Sequence, residues 1–196
     1  MTITEIENDL KKRLKPSRYQ HTMGVMYTAA ALSMHYQYPM EKALLAGLLH
    51  DCAKYESAGN LLKICMEHDI PVTEAERKSP QLLHAKVGAL YAKERYGVTD
   101  PEILHAILVH TTGMPNMSLL DKIVFISDYI EPGRDKAKNL TEIRRMAFED
   151  LDQTCAKILK DTLDYLKERG QNIDQTTEAT YEFYSSTARS NDAVEE

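Results

Sequence analysis

The feature that most constrains the fold is an apolar run with helical spacing that ends in two adjacent polar residues. Residues 44–49 read Leu-Leu-Ala-Gly-Leu-Leu, and His50 and Asp51 follow directly. This pattern predicts a buried helix, so we expect both side chains to lie at its end, next to the core. Polar groups on buried surface are unfavourable unless a partner satisfies them. A divalent metal would satisfy both at once; the alternative is that His50 caps the helix and Asp51 is solvated.

The helical pattern continues through the chain, and we find no convincing alternation typical of a strand. We expect Pro16 to stop the first helix and Ser17 to cap the second. Helices are predicted at about 3–14, 18–36, 40–51, 56–67, 81–96, 101–112, 118–130, 140–148 and 151–169, with one last helix around residues 181–184. The sequence therefore predicts an all-α protein.

Length, charge and cysteine content limit the class of protein. The 196 residues suit one domain, and there is no run of about 18 apolar residues for a membrane span. The first residues lack the basic and apolar regions of a signal peptide. Cys52, Cys65 and Cys155 are odd in number and widely spaced, which favours reduced thiols in the core. We expect a soluble, cytoplasmic protein without a membrane partner.

The net charge of −6 also bears on partners. The sequence contains no stripe of basic residues, so an extended nucleic-acid backbone is a poor candidate partner. A small phosphorylated ligand stays open, because such a ligand needs only a few cations in one pocket.

Several further polar side chains fall on apolar helix faces or at helix ends. His21 shares a face with Val25 and Ala29, whereas His105 points away from the face of His110. Any one such histidine is more simply explained as a satisfied core residue, but the joint pattern favours metal ligands. The candidate ligands are His21, His50, Asp51, His84, His110 and Asp128.

The spacing of these residues resembles that of the HD-domain metal-dependent phosphohydrolases. The resemblance is carried by Arg18-x-x-His21, by separate His84 and His110, and by three phrases: His50 to Lys54, His110 to Gly113, and Ser127 to Arg134. These phrases resemble the bacterial symmetrical bis(5'-nucleosyl)-tetraphosphatases in particular. The resemblance spans about residues 18–134 and implies an HD-domain helical bundle with its metal-binding core there. The helical pattern adds an N-terminal helix at 1–17 and helices at 135–189 that complete the same domain, and the polar composition predicts a loose acidic tail at 190–196.

The resemblance also implies a binuclear metal centre. One metal would be held by His21, His50, Asp51 and Asp128, and the other by Asp51, His84 and His110. Asp51 can bridge because its two oxygens can bind different metals. Imidazole and carboxylate ligands suit iron, manganese, cobalt or zinc, and the resemblance implies iron. Two metals about 3.5–4 Å apart activate water and bind phosphoryl oxygens.

Other residues in these phrases are candidates for substrate binding. Lys54, one turn past His50, would bind the transferring phosphate or pass a proton to the leaving group; its alternative is a solvated lysine. Arg134 has a planar guanidinium suited to a phosphate group. Arg18 would pair either with Asp128 or with phosphate. The pocket beside the second metal would be shaped by Thr111, Thr112 and Gly113.

Two acidic residues near these phrases are less suited to be ligands. Glu131 is expected to be an outer hydrogen-bonding partner of the metal site. Asp121 shares the Asp128 face but is expected to form a salt bridge.

The resemblance implies an enzyme that cleaves diadenosine tetraphosphate symmetrically into two ADP molecules. Two alternatives stay open. The same metals could act on a nucleoside tri- or monophosphate or on guanosine tetraphosphate, or the chain could be a metal-binding sensor without catalysis. A homodimer is also open, because the apolar faces beyond Leu151 could form its interface.

Overall fold

The computed structural model describes the backbone of residues 1–192 and the side chains through residue 187. Within this part of the chain there are only helices, which confirms the all-α prediction. None of the described helices is long and apolar enough to cross a membrane. The α-helices are α1 Ile3–Arg13, α2 Pro16–His35, α3 Met40–Leu49, α4 Ala58–Glu67, α5 Glu74–Lys78, α6 His84–Glu94, α7 Pro101–Val109, α8 Leu119–Ile130, α9 Leu140–Met146, α10 Leu151–Glu168 and α11 Gln175–Asp192, with a 3-10 helix at Pro80–Leu83.

The predicted cap of the second helix is wrong. α2 begins at Pro16, and Lys15 occupies the N-cap position without a side-chain hydrogen bond. Proline suits the first helical turn because its φ is already helical and its missing N–H would have had no partner there. Pro16 therefore starts α2, and Ser17 lies inside the helix.

The core is built around α8. This helix packs against α2, α3, α7 and α10, and its residues Ile123, Val124 and Ile126 are buried. α2 and α3 approach each other closely at Gly47, where a Cβ atom would lie 2.9 Å from the Met26 Cα atom. This close packing brings the end of α3 next to the first turns of α2.

The C-terminal helices contribute to the same core. Ile143 of α9, Cys155 of α10 and Tyr184 of α11 belong to one contiguous cluster with the residues of α8. The Tyr184 hydroxyl oxygen accepts a hydrogen bond from the Met117 N–H at 2.8 Å. α11 runs to Asp192, and the last four residues of the tail predicted at 190–196 lie outside the described residues.

A smaller apolar cluster lies beneath α4, the 3-10 helix and α6. It contains Leu61, Cys65, Leu83 and Val87. Cys52, Cys65 and Cys155 are all buried free thiols, as the sequence predicts. This cluster fixes the start of α6, where His84 lies.

Candidate metal centre

The six candidate ligands meet at the ends of five elements. His21 lies in α2, His50 and Asp51 follow α3, His84 begins α6, His110 follows α7, and Asp128 lies in the last turn of α8. His50, Asp51, His84 and His110 are each at most 2% exposed. The structure therefore brings together side chains that are as far as 107 positions apart in the sequence.

Asp51 lies at the centre of this group. Its Oδ2 atom is 3.6 Å from His50 Nε2 and 3.9 Å from His21 Nε2. Its Oδ1 atom is 3.3 Å from His84 Nε2 and 3.7 Å from His110 Nε2. Each carboxylate oxygen thus faces a different pair of histidines, which is the arrangement that a bridging carboxylate requires.

Three overlapping groups have ligand atoms within 4.8 Å of one another. One group, Asp51, His84 and His110, is the set that the resemblance implies for the second metal. The other two groups overlap at His50 and together include all four ligands implied for the first metal, with His110 added. These groups are His21, His50 and Asp51, and His50, His110 and Asp128.

The Nδ1 atom of each histidine is held by an acceptor. His50 Nδ1 donates to Gly47 O at 2.7 Å, and His110 Nδ1 donates to Ile107 O at 2.7 Å. His84 Nδ1 pairs in the same way with Gln81 O, three residues earlier. A carbonyl oxygen only accepts, so these rings carry their proton on Nδ1 and turn an unprotonated Nε2 toward the centre.

His21 is oriented by a carboxylate instead. Its Nδ1 donates to Glu131 Oε1 at 3.0 Å, and Glu131 is 3% exposed. The Glu131 Oε2 atom also accepts the Gly133 N–H at 2.6 Å. Glu131 therefore lies behind the ligand group, in the outer position that the sequence analysis gave it.

Two buried ring nitrogens indicate that the group fits a metal. His21 Nε2 and His50 Nε2 have no hydrogen-bond partner among the described residues, although Asp128 Oδ1 lies 3.0 Å from His21 Nε2. Buried polar atoms are nearly always satisfied. Burial also lowers the pKa of His50 to about 4, so its ring is neutral at pH 7, as metal binding requires.

The carboxylate at the centre is ionised. Burial by itself would raise the pKa of Asp51, but the charges around it, including that of Lys54, hold it well below its usual range. Burial also lowers the pKa of Lys54. The Lys54 Nζ atom lies 3.0 Å from His84 Nε2 and 3.8 Å from Asp51 Oδ1.

Two arginines contact the candidate ligands. Arg18 Nη1 donates to Asp51 Oδ2 at 2.8 Å, so its protein partner is Asp51 and not Asp128, which was one of the two alternatives. Asp128 is instead bound by Arg134, whose Nη2 donates to Oδ1 at 2.8 Å and whose Nε donates to the Asp128 carbonyl at 3.0 Å. Both guanidinium groups thus lie at the edge of the ligand group.

A cavity of about 430 Å³ opens onto this group. His21, His110 and Asp128 form one side of it. The rest of the wall includes the cations Arg18, Arg134 and Lys136, the acidic residues Glu131 and Asp135, and the apolar and hydroxyl side chains Phe125, Tyr129, Ile158, Leu159, Thr162 and Thr177. The cavity therefore offers three cations, together with carboxylates, next to apolar surface.

The three residues predicted to shape the pocket lie in two places. Thr111 lines the cavity, and its Oγ1 atom is 3.2 Å from His110 Nε2. Thr112 and Gly113 line a neighbouring cavity instead. Gly113 has φ +63°, and a Cβ atom there would lie 2.9 Å from Thr180 Cγ2. The absence of a side chain at Gly113 therefore lets α11 pack closely against this turn.

Sequence reasoning missed the wall contributed by the C-terminal helices. Ile158, Leu159, Thr162 and Thr177 lie beyond the matched phrases, and the only signal was the apolar face of the helix after Leu151. Asp121 stays outside the metal group. It accepts from His105 Nδ1 at 3.0 Å and from the Ser118 N–H at 2.8 Å.

Comparison with known proteins identifies a family. The family model described as HD domain matches residues 18–133. A crystal structure from Clostridium acetobutylicum, described as a predicted HD superfamily hydrolase involved in NAD metabolism, has a TM-score of 0.92 and 36% identity. It covers 95% of this chain and 98% of that chain.

Two relatives match along most of their length. The protein named symmetrical bis(5'-nucleosyl)-tetraphosphatase from Halalkalibacterium halodurans is 40% identical over 172 residues, or 88% of this chain and 91% of that protein. The protein of the same name from Bacillus subtilis is 36% identical over the same shares. The chain therefore belongs to the HD-domain family, within the group of the symmetrical bis(5'-nucleosyl)-tetraphosphatases.

Proposed function

We propose that this protein hydrolyses diadenosine tetraphosphate symmetrically into two ADP molecules. The observation that carries the proposal is the match to relatives named for this activity, over 88% of the chain. The buried ligand group supports it, because these His and Asp side chains could hold the metal ions that activate water for phosphoryl hydrolysis. The cations and apolar side chains of the cavity also suit a nucleotide, which has a phosphate chain and an apolar base.

The metal centre in this proposal is binuclear, with iron as the metal and manganese as the alternative. His21, His50, Asp51 and Asp128 would hold one ion, and Asp51, His84 and His110 the other. When bound, two such ions supply an activated water and withdraw charge from phosphoryl oxygens. The two oxygens of Asp51 face different histidine pairs, which supports a bridging role.

Side chains around this group have separate roles in the proposal. Arg134 and Arg18 would bind phosphate oxygens, since a guanidinium offers two parallel donors to an oxyanion. Lys54 would contact the transferred phosphoryl group or donate a proton to the departing ADP. Its lowered pKa favours proton donation, because an amine releases its proton more readily as its pKa falls.

The test is anaerobic purification, metal analysis and a nucleotide panel with product identification. The panel contains diadenosine tetraphosphate, ATP, AMP and guanosine tetraphosphate. ADP as the sole product of diadenosine tetraphosphate is the expected result. ATP plus AMP would reject symmetrical cleavage, and activity confined to another nucleotide would favour a different HD-type phosphohydrolase. Stable metal binding without turnover of any nucleotide would favour a sensor.

Three further properties belong to the same proposal. The enzyme would act in the cytoplasm, would not bind nucleic acid and could form a homodimer through the C-terminal helices. Sedimentation of the metal-loaded protein at several concentrations tests the dimer, and a monomer at all of them would refute it. Retention on heparin or single-stranded DNA at physiological salt would contradict the expected lack of nucleic-acid binding.

A further inference from the structure

We infer that Arg144 is a positioning residue that holds Arg134 in place for substrate phosphate. The inference rests on the proposed function, because that function gives Arg134 its phosphate. Arg144 lies in α9, outside the matched phrases and outside the cavity wall. It acts on the reaction only through the loop that follows α8.

The guanidinium of Arg144 donates hydrogen bonds to three main-chain carbonyls, at the end of α8 and in the loop that follows it. Its Nε donates to Ile130 O at 2.9 Å. Its Nη2 donates both to Glu131 O at 3.0 Å and to Arg134 O at 3.0 Å. One planar group thus ties the last residue of α8 to the residue that carries the phosphate-binding side chain, four positions later.

The helix that carries Arg144, α9, is anchored in the core. The neighbouring Ile143 is fully buried in the main core, and Leu140 is 9% exposed. α9 packs against both α8 and α10. A side chain that extends from such a helix can hold a loop without moving with it.

The opposite side of the same loop is held by Glu131. Its carboxylate accepts the Gly133 N–H at 2.6 Å and orients His21. A Cβ atom at Gly133 would lie 3.0 Å from Glu131 Oε2, so the loop is already tight on this side. Glu131 therefore fixes the loop toward the ligand group, and Arg144 fixes it from α9.

Arg134 itself is exposed and needs this support. Its guanidinium reaches back to Asp128, and its own N–H donates to Glu131 O at 3.0 Å. Mispositioning of the backbone by 1 Å would move the guanidinium away from the oxygens that it binds, and errors of this size weaken catalysis strongly. Lysine could replace Arg144 only in part, because a single ammonium lacks the planar fork that reaches three carbonyls.

A simpler role would be to cap the C-terminus of α8, since basic side chains often bind the last carbonyls of a helix. Capping alone would affect stability and leave the affinity for substrate unchanged. A double-mutant cycle separates the two roles, because residues that act as a unit have effects that do not add.

The cycle uses Arg134→Gln, Arg144→Gln and the double variant of the metal-loaded full chain. Arg145→Gln is the matched control, because Arg145 is the next residue, carries the same charge and pairs with Glu149 on the exposed side of α9. Arg144→Gln should raise KM for diadenosine tetraphosphate about tenfold, the size expected for loss of charge-assisted hydrogen bonds, with metal content unchanged. The double variant should match Arg134→Gln, Arg144→Lys should recover only part of the loss, and the control should match the wild type.

The inference is overturned if the two single effects multiply in the double variant, or if Arg144→Gln lowers the melting temperature without changing KM. Failure of the proposed function would look different, because the wild type would then leave diadenosine tetraphosphate intact. In that case the same cycle is measured as ADP affinity by calorimetry. Non-additive losses of ADP affinity would support the Arg144 role, whereas additive losses, or a wild type that binds no ADP, would overturn it.

Discussion

The two oxygens of Asp51 face different histidine pairs, so the two halves of the ligand group can be tested separately. We predict that His84→Ala and His110→Ala each lower the metal content of the purified protein by about half, because a site that loses one of three ligands binds its ion weakly. The measurement is metal analysis after anaerobic purification.

His105→Ala is the matched control for this prediction. His105 lies in α7, five residues before His110, and pairs with Asp121 instead of the ligand group. Its variant should keep its full metal content. Full occupancy in either His84→Ala or His110→Ala would contradict a binuclear centre.

A substitution at Lys54 tests catalysis separately from metal binding. We predict that Lys54→Gln keeps its metal and loses about 10²-fold or more in kcat, because it removes a proton donor or a phosphoryl contact. Metal content and steady-state kinetics are the measurements. Lys63→Gln is the control, since Lys63 lies on exposed α4 surface beside Glu67. Unchanged turnover in Lys54→Gln would refute the catalytic role of Lys54.

At the level of the helices, the contact between α2 and α3 depends on Gly47. A Cβ atom there would meet the Met26 backbone at 2.9 Å, and backbone does not yield as a flexible side chain would. We predict that Gly47→Ala lowers the free energy of unfolding by about 1–3 kcal/mol through overpacking. His50 follows this contact by three residues, so metal affinity should fall as well.

Gly59→Ala is the control for that substitution. A Cβ atom at Gly59 has nothing within 4 Å, and this glycine lies in the first turn of α4. The change should raise the free energy of unfolding by about 0.4–1 kcal/mol by restricting the unfolded chain. Urea unfolding of both variants decides the matter, and similar destabilisation by the two would refute the role of Gly47.

Helix type and order were predictable because the apolar spacing in each segment is regular, but the ends of the helices were less so. Pro16 shows why: proline both terminates one helix and suits the first turn of the next, and the sequence does not say which role it takes. The segment before His84 forms a 3-10 helix at Pro80–Leu83, which apolar spacing did not distinguish from the start of α6.

The inward positions of the candidate ligands were predictable from local face and spacing, whereas their partners were not. His21 and His84 could be placed because each lies on a regular apolar helix face. The partner of Arg18 depended on how α2 and α3 cross, and that packing brings Asp51 to it. Thr112 and Gly113 were assigned with Thr111, but the backbone turns at Gly113 toward α11.

The stability of the complete fold should fall in alkali. Burial raises the pKa of Cys155 above its ordinary 9.0 and the pKa of Tyr184 and Tyr96 above their ordinary 10.0. A group with a raised pKa in the folded state favours folding fully below its ordinary pKa and loses that contribution as the pH rises above it. We therefore predict a steady loss of stability above about pH 9.

Urea unfolding between pH 8 and 11 measures this loss. Cys155→Ala removes one of the buried thiols, which ionise first in the unfolded chain, so its stability should fall less steeply between pH 9 and 10 than that of the wild type. Cys65→Ala should change the slope in the same direction, because burial also raises the pKa of Cys65. Identical slopes for the wild type and Cys155→Ala would refute this account.

Tyr184 is 1% exposed and is supplied by α11, the last helix to be synthesised among those described. While the ribosome is still making this helix, the surfaces of α8 and α10 that will receive Tyr184 stay open to solvent. The main core can close only after α11 has left the exit tunnel, so nascent chains stalled before it should remain sensitive to protease.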